Sequence, residues 1–159
     1  MMDRLEFFVR QKEPFDDEIK KIAKSSEDVR LLMTIPGIDY YLASLLSSYI
    51  GNVRRFPSES KLTSFFCIVP SNRDLSSITR RGHMSKEGAS TARWALSIAV
   101  DTTILRNKPL KECYDSVKNR KGSGKYAHVS TMRKLVRMIF LMLNEKREWN
   151  QFKLDFRTL

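Results

Sequence analysis

Residues 25–51 read SSEDVRLLMTIPGIDYYLASLLSSYIG, and the punctuation of this stretch decides the fold. Ser25-Ser26-Glu27-Asp28 supplies side-chain oxygens and acids for the exposed amides of a helix start, which predicts a helix to about Thr34. Asp39 is placed to cap a second helix carrying Leu42, Ala43, Leu45, Leu46 and Ile50, and Gly51 ends it. Between the two helices, Ile35-Pro36-Gly37-Ile38 has the pattern of a helix-hairpin-helix. Glycine allows the tight turn, and the flanking isoleucines lock the helices together.

Outward from this unit the same periodicity holds, with apolar residues recurring at three and four and few segments alternating with period two. Residues 3–12 read as an amphipathic helix with Leu5, Phe8 and Val9, ending near Pro14 because proline lacks the interior donor. Residues 15–24 continue helically with Phe15, Ile19 and Ile22 on one stripe. Downstream, Ser58 starts a short helix carrying Leu62, Phe65 and Phe66, and residues 70–88 read as irregular, polar and basic. Residues 89–106 form a helix that turns Ala92, Ala95, Leu96, Ala99 and Val100 to a core. Pro109 starts another, which ends before Gly122-Ser123-Gly124. Residues 126–145 form the last long helix, and Trp149 and Phe152 fold back onto the body. The reading is an all-α, compact helical domain. Residues 1–26 form an N-terminal helical arm (a coiled-coil or dimerisation element), residues 27–147 the body, and residues 148–159 a tail.

The chain has 159 residues, 42% of them hydrophobic and 30% charged, enough to bury a core. No run approaches the ~18–20 apolar residues that span a bilayer, and the first residues lack the apolar stretch of a secretory signal. Two cysteines, Cys67 and Cys113, make neither a disulfide framework nor a zinc site, which points to a reducing cytoplasm. The net charge of +11 is unevenly spread. Residues 1–30 hold seven Lys/Arg against eight Asp/Glu, whereas residues 31–159 hold 22 against 10. Such asymmetry argues for a polyanionic partner, with a solubility role for lysine as the bland alternative.

Three stretches could serve that partner. Amides at the start of the helix after Pro36-Gly37-Ile38 can bind a phosphate without reading sequence, with Arg54-Arg55 just beyond; the bland reading is a ligand-free turn. The stretch from Pro70 to Gly88 is dense in hydroxyls and cations. A serine among Arg and Lys suits phosphodiester transfer, the cations stabilising charge on the phosphorus oxygens; the bland reading is a basic loop. His83 could act there as a general base. The third stretch, Lys118-Asn119-Arg120-Lys121-Gly122-Ser123-Gly124-Lys125, either clamps a backbone or merely complements a helix dipole. Its glycines lack the spacing and preceding strand of a phosphate-loop NTPase.

Leu31 through Ile38, Ile50 through Phe56, Ile68-Val69-Pro70-Ser71, and Gly82 through Gly88 followed by Arg93 occur in an order and at a spacing that resemble a known family. It is the C-terminal transposase domain of the IS110/IS116/IS902-type insertion-sequence transposases, which include the pilin-gene invertases. The resemblance covers about residues 30–147. It implies a helical domain that contributes a serine to DNA recombination through a covalent serine–DNA intermediate. It also implies an N-terminal RuvC-like domain that supplies four acidic ligands for Mg²⁺, and in some members a structured guide RNA.

Carried onto this chain, the nucleophile is Ser76, with Ser77 second, because Leu75-Ser76-Ser77 stands where the family usually has Ser-Gly. Arg80, Arg81, Lys86 and Arg93 are the expected phosphate contacts around it. Pro36, Gly37, Ile38, Arg54, Arg55, Lys121 and Lys125 are expected to hold the backbone. The family commonly has glycine where Cys67 stands. No metal ligands are expected in this chain, since Asp16, Asp17 and Glu18 point different ways on a helix. Mg²⁺ is expected only with a partner RuvC-like domain, so the chain alone is expected to be catalytically incompetent. Expected partners are DNA, a structured guide RNA, and a full-length transposase or a second protomer, with no membrane. The alternatives are a non-enzymatic helix-hairpin-helix binding module and a decayed transposase remnant.

Overall fold

The computed structural model describes the backbone of residues 2–68, 70–75, 78–84 and 90–152, and the side chains of residues 6–68 and 90–152. Local chemistry starts and stops its helices. α1 (Met2–Ser25) leads into α2 (Glu27–Met33), which begins at Ser26; the Ser26 hydroxyl accepts from the Val29 amide at 3.4 Å. α3 (Tyr40–Ile50) begins at Asp39, whose carboxylate accepts from the Leu42 amide at 2.9 Å, and Gly51 closes it at φ +58°. Each cap satisfies an amide that the helix leaves unpaired. A 3₁₀ turn at Val53–Arg55 leads into α4 (Glu59–Phe65). α5 (Ser90–Arg106), α6 (Lys108–Lys121) and α7 (Gly124–Glu145) follow. Pro109 sits in the first turn of α6, where its missing N–H costs nothing, and Gly122 ends that helix.

α7 is the axis of the core. Its Leu135, Val136, Met138, Ile139 and Met142 are fully buried, and α2, α4, α5 and α6 pack on it. From α5 come Ala92, Ala95, Leu96, Ala99, Val100 and Thr103, all buried and spaced three and four apart. Ile35 and Ile38 are buried on either side of the turn between α2 and α3, as the pattern predicts. Trp149 folds back and is buried, its amide donating to the Thr34 hydroxyl at 3.0 Å. Lys146 pairs with Asp28 and, at 3.3 Å, with Glu27, tying the end of α7 to the start of α2. The Asp28 hydrogen bond raises the Lys146 ammonium above its ordinary pKa.

The domain is all-α, but two segments depart from the sequence reading. Pro14 does not end a helix, since α1 runs through it from Met2 to Ser25. Proline removes one donor and crowds the carbonyl four residues back. Residues 6–15 are exposed, so water can serve the freed carbonyl. The stretch expected to be irregular contains β1 (Pro70–Leu75) and β2 (Ile78–Met84), paired antiparallel from Pro70↔Met84 to Leu75↔Ile78. Its strands are polar and lack the apolar alternation by which a half-buried strand is recognised.

Cys67 stands just before this hairpin with φ +53°, in the left-handed region that favours glycine. A side chain there costs about 1–2 kcal/mol, and glycine returns part of that as lost chain entropy. Cys67→Gly is therefore expected to stabilise the domain by about 0.5–1 kcal/mol, read as a thermal midpoint raised by roughly two degrees. A lowered midpoint would mean that packing of the thiol outweighs the backbone strain.

Candidate nucleic-acid interface

A lone two-stranded hairpin is marginal in water, and this one is fixed at its foot. Arg133 on α7 donates from Nε and Nη2 to the Ile68 carbonyl, both at 3.0 Å. Ile68 itself is fully buried, so the charged donor satisfies an acceptor that water does not reach. Arg133→Met is expected to cost about 1.5–3 kcal/mol, the range for a hydrogen bond to a charged group. Denaturant unfolding measures the loss; a change below about half a kcal/mol would show that the carbonyl finds another donor.

Ile68 and Ser90, on either side of the hairpin segment, line a hollow of about 360 Å³ together with Arg93, Trp94, Ser97 and His128. His128 Nε2 donates to Asp101 Oδ1 at 3.0 Å and thereby clips α7 to α5. Lys125 lies one turn before His128 and Val129, so its position shares their face of α7. A second hollow, of about 460 Å³, lies beside the first. Gly37, Asp39 and Tyr41 line it from the α2–α3 side, and Trp94, Ile98 and Arg106 line it from α5. Trp94 borders both hollows.

The turn Pro36–Ile38 connects two helices as expected, yet its surroundings differ from an open phosphate slot. Ile38 is buried, and the position where Gly37 lacks a Cβ faces the α5 backbone at 2.7 Å. The Asp39 carboxylate already occupies the start of α3 and takes the Leu42 amide. An acid at that place opposes a phosphate.

Arg54 and Arg55, adjacent in sequence, are used differently. The Arg55 guanidinium donates to the Tyr49 carbonyl at 2.9 Å and lies over the rings of Phe56 and Phe65 at 4.6 and 5.0 Å. It braces the 3₁₀ turn. Arg54 is exposed, makes no ion pair among the described residues, and lines neither hollow.

Of the expected phosphate contacts around the serine, Arg93 is half-buried in the first hollow. Arg80 and Arg81 occupy β2, where Arg80 pairs with Arg73 and Arg81 with Asn72. Ser76, Ser77 and Lys86 lie outside the described residues, and His83 is described only as a backbone position in β2. Lys121 and Lys125 flank the α6–α7 corner, both exposed. Sequence reasoning missed Arg73, Trp94, Arg106, Arg133 and the His128–Asp101 pair. The exposed tryptophan in a helix otherwise lined with alanine was the available signal; the others emerge only from pairings distant in sequence.

The ion pairs are distributed unevenly. Among the described residues, carboxylate partners are found for cations of α1, for Arg137 and for the Lys146–Arg147 end of α7. From Arg106 to Lys125 there are seven Lys/Arg against two acids, Glu112 and Asp115. None of those seven forms an ion pair among the described residues. Among the described residues no three His, Cys, Asp or Glu side chains converge as a metal site would require. Among the described residues no helix is long and apolar enough to cross a membrane.

The family model described as transposase, IS116/IS110/IS902 family, matches residues 29–115. The chain is 29% identical over 76 residues to the transposase for insertion sequence element IS1111A of Coxiella burnetii, a match covering 44% of this chain and 21% of that one. It is 22% identical over 135 residues to the 44.8 kDa protein of insertion element IS116 of Streptomyces clavuligerus, covering 83% of this chain and 33% of that one. The chain thus spans between a fifth and a third of the length of these curated relatives.

Proposed function

The chain belongs to the transposase IS116/IS110/IS902 family, and from that premise we propose that it is a DNA-binding, serine-contributing domain of a DNA recombinase. The observation that carries this reading is the run of seven cations from Arg106 to Lys125 that form no ion pair among the described residues, on a chain whose net charge of +11 resides beyond residue 30. Cations without carboxylate partners are free to replace the counterions of a polynucleotide. Arg73, Arg80 and Arg81 add charge at adjacent register positions of the hairpin.

In this reading Ser76, or Ser77 beside it, attacks a backbone phosphorus. The Oγ–P bond forms as one P–O ester bond of the strand breaks, and the hydroxyl proton passes to the leaving oxygen. Arg80, Arg81, Lys86 and Arg93 stabilise charge on the phosphate. Carboxylates for Mg²⁺ come from a RuvC-like domain in the same polypeptide or a full-length partner. The exposed Phe7, Phe8, Phe15 and Ile22 of α1 suit pairing of this arm with a second protomer, and a structured guide RNA is a further candidate partner.

The test is a suicide DNA substrate, incubated with the chain in the presence and absence of a full-length relative. A covalent protein–DNA adduct that requires the relative and disappears in Ser76→Ala supports the reading. An adduct that survives Ser76→Ala and disappears in Ser77→Ala moves the nucleophile by one residue. Tight binding with no adduct under any complementation would instead favour a non-enzymatic binding module.

A further inference from the structure

We propose that the groove between the Pro36–Ile38 turn and α5 receives a single unstacked nucleobase, held against Trp94. The inference rests on the polynucleotide-binding reading above and deepens it by naming what part of the polynucleotide enters the groove.

Trp94 is the anomaly from which the argument starts. Helix α5 buries Ala92, Ala95, Leu96 and Ala99 around it, while Trp94 remains 51% exposed. The chain's other tryptophan, Trp149, is 5% exposed. A large flat ring in water beside a hollow of about 460 Å³ offers a stacking surface without having to be ordered for the purpose. Tyr41, 41% exposed, lines the same groove and offers a second aromatic face.

The polar groups select the occupant. Arg106 lines the groove, is exposed, and forms no ion pair among the described residues, so it can meet a phosphate flanking the base. Lys108, exposed two residues further on at the start of α6, carries a second cation with no ion pair among the described residues. Asp39 lines the groove from the other side; one carboxylate oxygen takes the Leu42 amide, which leaves the second for another donor.

A phosphate in that position would meet the carboxylate as a like charge. A base would not, because every nucleobase carries at least one N–H on its pairing edge. A stacking face, a hydrogen-bond acceptor and an outer cation are the parts by which proteins hold splayed-out bases. An aromatic contact for another protein is the competing occupant. Arg106 in the groove and Lys108 two residues beyond it, which no carboxylate among the described residues neutralises, favour a polyanionic strand over a protein surface of mixed charge.

The measurement is tryptophan fluorescence of the full chain, titrated with oligothymidylate and with an abasic oligonucleotide of the same length and phosphate count. The expected result is quenching by oligothymidylate and not by the abasic strand, with oligothymidylate bound about ten-fold tighter or more. With the affinities of end-labelled strands read by fluorescence anisotropy, Trp94→Ala should erase that difference while leaving the abasic affinity unchanged, and Trp94→Phe should retain part of it. Because Trp94 is exposed, thermal melts of both variants are expected to match the parent. Equal affinity for the two strands without quenching would overturn the base site and leave the functional reading standing. Binding of neither strand would overturn the functional reading and the groove together. If Trp94→Ala alters self-association in sedimentation while the two-strand ratio is unchanged, the surface is a protein contact and the proposal falls.

Discussion

Replacing Gly37 by alanine should destabilise the domain by about 3 kcal/mol or more, the sum of backbone strain and overpacking. Gly37 has φ +100°, which L side chains rarely adopt. A Cβ there would lie 2.7 Å from both the carbonyl carbon and oxygen of Thr102, and 2.9 Å from the Thr103 amide nitrogen. These are backbone atoms in the interior of α5, so no rotamer change can relieve the contact. The α2–α3 turn and α5 would have to separate, loosening Ile35, Ile38 and Leu42 together. Gly122 provides the control, because it sits in the left-handed helical well at φ +64° and ψ +16° and nothing lies within 4 Å of an added Cβ. Gly122→Ala should cost only about 1 kcal/mol, from strain alone. Urea unfolding of both variants separates the two effects, and equal losses would contradict the close approach of the turn to α5.

Changing Lys118, Arg120, Lys121 and Lys125 together to glutamine should weaken polynucleotide binding by roughly a thousandfold at about 0.1 M salt. The arithmetic is about 0.9 in the salt exponent for each phosphate left unneutralised, hence nearly four logarithmic units of slope. The opposing effect is a loss of helix stability, because Lys118, Arg120 and Lys121 lie in the last turn of α6 and complement its dipole. That term is only about 0.3–1 kcal/mol for each charge, and circular-dichroism melts of the variant measure it independently. A fold retained with affinity unchanged would move the interface away from the α6–α7 corner. The hairpin would then be the next site to neutralise, at Arg73, Arg80 and Arg81.

What was legible in the sequence was legible because it is local. Ser26 and Asp39 each satisfy an amide three residues ahead, and Pro109 and Gly122 act through their own backbone angles, so a short window holds all the information. The stripe Ala92, Ala95, Leu96, Ala99, Val100 followed from periodicity for the same reason. Pro14 misled because its penalty falls on an exposed helix, where solvent softens it. The β1–β2 hairpin was hidden by polar strands.

The interface was less legible than the fold, since its parts come from far apart. Arg133 reaches Ile68 across 65 positions, and Trp94 faces the same groove as Asp39 only because Gly37 lets the turn settle on α5. Arg54 and Arg55 look equivalent as neighbours. Only the rings of Phe56 and Phe65 beneath Arg55 reveal that it serves the fold.

If this helical body grips a polynucleotide through cations that pair with no carboxylate among the described residues, the affinity of the unaltered chain for a DNA duplex must depend steeply on salt. With six or more phosphates neutralised, affinity should fall about a thousandfold between about 50 and 200 mM salt. An affinity that stays level across that range would contradict a phosphate grip.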